Sequence, residues 1–96
     1  MTGADADGLD RLAKLFDDAA TSLLSSQKLI RTRLVNSPWD GRDAHAFRSD
    51  WERSHKPSLM STAQYLRDAG NTLRRNATEQ RRASAAESRL VSGIKD

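Results

Sequence analysis

With 36% of its 96 residues hydrophobic, 5% aromatic and 30% charged, the chain is one small domain that has too little apolar material to enclose a core alone. It contains no cysteine, which excludes disulfides and zinc–thiolate sites and leaves association with another protein as the remedy for a thin core. The net charge is +3; residues 1–36 balance at five basic and five acidic side chains, so the excess lies in residues 37–96, with eleven basic and eight acidic.

The first residues, Met1-Thr2-Gly3-Ala4-Asp5-Ala6-Asp7, are acidic, unlike the basic start of a secretory leader. No apolar run approaches the roughly 20 residues that a bilayer requires. The chain is therefore expected to fold in the cytoplasm, and any export would use a signal that is not cleaved.

From Leu9 the apolar residues recur at helical intervals: Leu9, Leu12, Phe16, Ala19, Leu23, Ile30 and Leu34. The first steps run 3, 4, 3 and 4, the spacing of a heptad seam. Leu15, Leu24 and Leu29 broaden that stripe enough to serve two neighbours at once. With no Gly or Pro between Leu9 and Asn36, the spacing predicts a helix over about 7–35.

Pro38 disfavours helical geometry in Ser37 and ends that helix. A bend over 37–41 follows, in which Gly41 supplies backbone freedom and Trp39 an indole too large to leave in a bare turn. Helical spacing resumes at Ala44, Phe47 and Trp51, then Leu59, Thr62, Leu66, Ala69, Leu73 and Ala77, predicting a second helix over about 42–88. Asp40 and Asp43 suit the positive end of its dipole. Pro57 cannot donate to the carbonyl of Arg53, so a kink is predicted there. Gly70, costly inside a helix, implies close packing against another one. Val91–Asp96 is expected to fray.

A short connection makes the two helices antiparallel. The fold is therefore all-α, a two-helix hairpin whose leftover apolar stripe asks for a second hairpin and a four-helix bundle. Hairpin and dimer contacts are assigned to Leu12, Phe16, Leu23, Ile30, Phe47, Trp51, Leu66 and Leu73.

Chemistry is not expected of this chain, nor is a cofactor. His45 and His55 stand ten residues apart, outside metal-ligand spacing, and no serine sits in a Gly-x-Ser-x-Gly elbow. Arg74, Arg75, Arg81 and Arg82 form a modest basic patch that could follow phosphates. Interspersed acids and the absence of a short helix-turn-helix weigh against nucleic acid.

A chain of this length with two helices, the central Trp39-Asp40-Gly41, and Phe47 four residues before Trp51 resembles the WXG family, the small Esx (ESAT-like) proteins of type VII secretion. Lys56-Pro57 through Leu66, Leu73 and Arg74-Arg75-Asn76-Ala77 to Gln80 is similar to actinobacterial members. The resemblance implies a folded hairpin that pairs as a homodimer or heterodimer with another WXG-type protein and leaves through an ATPase-driven membrane machine without a cleaved signal peptide. It implies that Trp39 and Gly41 shape a recognition surface beside a Tyr-x-x-x-Asp/Glu signal on the partner's tail. Here the one tyrosine, Tyr65, is followed by Asp68 at the third position and Ala69 at the fourth, and Ser88–Asp96 holds no tyrosine. The chain is thus expected to supply the bend and borrow the tail from a different partner, with the Tyr65 ring inside the bundle. Two other roles remain open: an adaptor or chaperone escorting a larger secreted partner, and a small basic helical protein associated with nucleic acid.

Overall fold

The computed structural model describes residues 5–95; Met1–Ala4 of the acidic start and Asp96 of the tail lie outside the described residues. Helix α1 spans Ala6–Asn36, α2 Arg42–Asp50 and α3 Lys56–Lys95, with Trp51–His55 forming a π turn that joins α2 to α3 without a break. The contacts between α1 and α3 run in opposite senses along the two chains: Arg81 reaches Asp7 and Asp10, Arg74 reaches Asp17, and Arg67 reaches Thr21. The helices are antiparallel, as the spacing predicts.

The line of closest approach is made of small residues. Ala6, Ala13, Ala20 and Gln27 recur every seven residues on α1 and are buried, opposite Ala63, Gly70 and Ala77 on α3. A Cβ built on Gly70 would stand 3.3 Å from the carbonyl oxygen of Ala13 and 3.1 Å from Asp17 Oδ1, so here the backbones themselves are in contact. The larger Leu9, Phe16, Leu23 and Ile30 flank this line and are only half-buried, as are Leu59, Leu66 and Leu73 on α3. The expected seam is therefore turned by about one position: Leu12 and Ala19, placed in it by spacing, are exposed, and Ala13 and Ala20 take their place. Large side chains at the centre would hold the axes apart, whereas alanines let the two helices close up.

The π turn keeps the buried stripe in phase. Ala44 and Trp51 are buried and lie seven apart, but Trp51 and Ala63 are twelve apart. At about 100° per residue, twelve residues of α-helix would turn Ala63 some 120° off the stripe, whereas eleven would leave it about 20° off. A turn closed by the Lys56 N–H on the Trp51 carbonyl, five residues back, absorbs the extra residue. Pro57 tolerates this because it lacks the N–H that would have bound the Arg53 carbonyl. The expected kink takes the form of that wide turn. The molecule is 81 Å long, which is what residues 42–95 give as one straight rod at about 1.5 Å per residue.

Helix α3 also outlasts its predicted end near residue 88, continuing to Lys95 where fraying was expected. Past Arg81, which pairs with Asp7 and Asp10 of α1, its described side chains are exposed.

Candidate interaction surface

At one end of the hairpin the chain reverses over Ser37–Gly41. Ser37 is extended (φ −79°, ψ 139°), as the residue before proline must be, and its Oγ accepts a 3.0 Å hydrogen bond from the Trp39 N–H. Gly41 has φ 105° and ψ −174°, a region that only glycine enters without strain, and its carbonyl accepts the His45 N–H at 3.0 Å to open α2. A Cβ at Gly41 would meet nothing within 4 Å, so the demand is conformational alone. Gly41→Ala is expected to cost about 1–3 kcal/mol of hairpin stability in a urea melt. An unchanged midpoint would mean that the bend has another conformation at hand.

Trp39 is 44% exposed and tilts against Phe47, also largely exposed, with ring centroids 5.8 Å apart. Together with Leu29, Ile30, Leu34 and Pro38 they line an open apolar groove across the end of the hairpin. Trp51 is the opposite case. It is 5% exposed, sealed into the end of the hairpin core, and its Nε1 has no hydrogen-bond partner. Arg48 completes the bend by donating to the Leu34 carbonyl at 3.1 Å, satisfying an acceptor that the end of α1 leaves open. No spacing in the sequence marks Arg48, because its partner is a backbone atom fourteen residues away.

The two long flanks of the hairpin differ in kind. On one, acids of α1 meet arginines of α3 at matching seven-residue intervals: Asp17 with Arg74 at 2.8 Å, and Asp10 with Arg81 at 2.8 Å, with Asp7 joining at 2.6 Å. The hydrogen bonds that Arg81 donates to Asp7 first, and then to Asp10, hold its guanidinium above the ordinary arginine pKa. Exposed pairs like these stabilise little, but their repeat decides which residues of the two helices face each other. Half of the predicted basic patch is thus already neutralised. Arg75 donates to Thr72 Oγ1 at 3.0 Å, and Arg82 is exposed.

The other flank is uncharged but for Asp68, which lines a groove there beside Tyr65 and Ala69. On α1 the half-buried row Leu9, Phe16, Leu23, Ile30 is followed outward by Leu12, Ala19, Ser26 and then by Leu15, Ser22, Leu29. On α3 the matching rows are Leu59, Leu66, Leu73, then Thr62, Ala69, Asn76, then Ser58, Tyr65, Thr72. No ionisable group interrupts them, Tyr65 aside, until Arg33 at one end and Glu79 at the other. Six of the assigned contact residues, Leu12, Phe16, Leu23, Ile30, Leu66 and Leu73, stand on this flank; Phe47 and Trp51 stand at the bend. Tyr65, expected inside, is 73% exposed and stands on the same flank.

Among the described residues no three His, Cys, Asp or Glu side chains cluster to hold a metal, and no helix is long and apolar enough to cross a membrane. No protein-family model matches the chain, and no curated protein or solved structure matches it.

Proposed function

We propose that the chain is a non-enzymatic hairpin that pairs through its apolar flank into a four-helix bundle, and that this folded assembly is a substrate of type VII secretion. One observation carries the reading: an apolar flank, on which α1 bears no charge from Gly8 to Ile30, leads toward the exposed Trp39 at the bend. Small monomers seldom leave so long an apolar strip open. A second hairpin laid on it would bury what the first cannot. The resemblance to the WXG family, on Trp39, Gly41, Phe47 and Trp51, supplies the export half of the proposal and makes the bend the end that the machinery reads.

Nucleic-acid binding has less to support it, since Arg74 and Arg81 are held by Asp17, Asp7 and Asp10 and are not free for phosphates. An escorting role uses the same flank and bend, and no further feature of the chain favours it.

Leu15→Glu tests the pairing half. Leu15 is 61% exposed and outside the hairpin seam, so the helices themselves should fold. A carboxylate buried in an interface with no cation opposite it is costly. The expected result is full helicity by circular dichroism, a mass that falls to that of one hairpin, and loss of the chain from the culture medium. An assembly of unchanged mass that is still exported would place the interface elsewhere.

A further inference from the structure

We infer that the cleft between the last turns of α1 and the junction of α2 with the π turn is a binding site for a phosphate group, held between the guanidiniums of Arg31 and Arg48. The site depends on neither the pairing nor the export proposed above. It opens on the charged flank, which that pairing leaves uncovered.

The charged flank is a ladder with one rung reversed. At seven-residue intervals α1 places Asp10, Asp17, Leu24 and Arg31 along it. Asp10 and Asp17 each hold an arginine of α3. At the fourth rung, beside the bend, an arginine stands in the row of the acids, and it shares its cleft with a second arginine, Arg48. Leu34, Val35, Trp51 and Glu52 complete the walls of this cleft, which has a volume of about 380 Å³. Two like charges brought to one cleft repel unless a negative group lies between them.

The chain does not supply that group. Glu52 is engaged by Lys56 at 3.2 Å, and Arg31 makes no ion pair among the described residues. The Leu34 carbonyl, which would repel an anion, is taken by Arg48 Nη2 at 3.1 Å, and the other N–H groups of that guanidinium remain to donate. Trp51 adds a second, independent sign. It is 5% exposed in the wall of the same cleft, and its Nε1, which can only donate, has no acceptor.

Charge selects the class of ligand. A carboxylate offsets one of the two guanidiniums. A phosphate monoester carries about two negative charges at neutral pH and offers an oxygen to each fork. The diester of a nucleic-acid backbone, with one charge per phosphate, meets the need no better than a carboxylate does. Leu34 and the exposed Val35 give part of the cleft an apolar wall, which suits a phosphate carried on an organic group.

The test is a titration of the purified, isotope-labelled full chain followed by magnetic resonance. Its two tryptophans give two indole N–H signals, and Trp39→Phe identifies the one that belongs to Trp51. With inorganic phosphate added at constant ionic strength, the Trp51 signal is expected to move and saturate while the Trp39 signal stays in place. Arg31→Gln, a change at an exposed position that should leave helicity intact, is expected to weaken binding about tenfold or more, the loss of one charge-assisted contact. Phenyl phosphate separates the two sources of the group: tighter binding than inorganic phosphate assigns the cleft to a monoester, and equal binding assigns it to the free ion. Acetate is expected to bind more weakly than either. The inference is overturned by a Trp51 signal that does not saturate, by Arg31→Gln binding like wild type, or by acetate binding as tightly as phosphate.

Discussion

Trp39→Ala is expected to leave the helical hairpin and its assembly intact and to abolish export. The ring is 44% exposed and touches Phe47 across 5.8 Å, so its removal takes away part of one aromatic contact at the end of the molecule and nothing from the seam. The loss in stability should be about 1 kcal/mol, the value of an aromatic pair, within the margin of a small domain. Its effect on recognition is of a different size. The indole is the largest exposed apolar surface in the groove that also contains Leu29, Ile30, Leu34 and Pro38, and bulky aromatics of this kind dominate binding energy where they anchor a partner. An anchor worth 2–4 kcal/mol, roughly the hot-spot range, accounts for a 30- to 1,000-fold loss of binding, enough to empty the culture medium of protein. The measurement is the amount of chain in the medium against the amount in the cells, with a strain lacking the secretion ATPase as the zero. Secretion of the variant at the wild-type level would remove the bend from the export mechanism and leave Trp39 as a cover for the end of the hairpin.

The helices and the bend were legible in the sequence because each has a local cause. Uninterrupted 3–4 spacing makes α1, Pro38 ends it, and Gly41 occupies the one backbone conformation in the bend that needs it. What spacing cannot decide is which part of a broad stripe faces inward. Leu12, Phe16, Ala19 and Leu23 score as a seam on hydrophobicity, but the inward line belongs to Ala13 and Ala20, whose merit is that they are small. Hydrophobic pattern registers size as apolar weight, and a close helix pair rewards its absence. Gly70 signals close packing, and the alanines at seven-residue spacing opposite it complete that signal.

The same distinction shaped the second helix. Pro57 announces a disturbance, but whether it becomes a kink, a break or a wide turn depends on the phase between Trp51 and Ala63, which are both inward. That phase is a tertiary requirement, visible only once the buried residues are known. The candidate interaction surface is legible in the same partial way. Trp39 and the leucines were identified from residue type and position, whereas the outward placement of Tyr65 follows from its standing two residues from Ala63 on α3.

The rotated seam leads to a sharp contrast between neighbouring residues. Ala20→Leu is expected to destabilise the hairpin by about 2–3 kcal/mol, in the upper range for overpacked cores, while Ala19→Leu is expected to be neutral within about 0.5 kcal/mol. Leucine and alanine have nearly equal helix propensity, so neither change acts through the helix itself. Ala20 has no exposed surface and lies on the line where Gly70 brings α3 within van der Waals contact of the α1 backbone; three added carbons there force the axes apart along several turns. Separation would also loosen the Phe16 and Leu23 packing on either side and lengthen the pair between Asp17 and Arg74, now 2.8 Å. Ala19 is exposed, and a leucine there extends the apolar flank into solvent. If the seam instead followed the 3–4 spacing of the leucines, the order of the two effects would reverse, with Ala19→Leu costly and Ala20→Leu mild. Urea melts of the two variants, read by circular dichroism at a concentration where the wild-type chain is monomeric or after its association has been subtracted, decide between them. A larger loss for Ala19→Leu would return the large side chains to the centre of the hairpin and, with them, take away the open flank on which the proposed pairing depends.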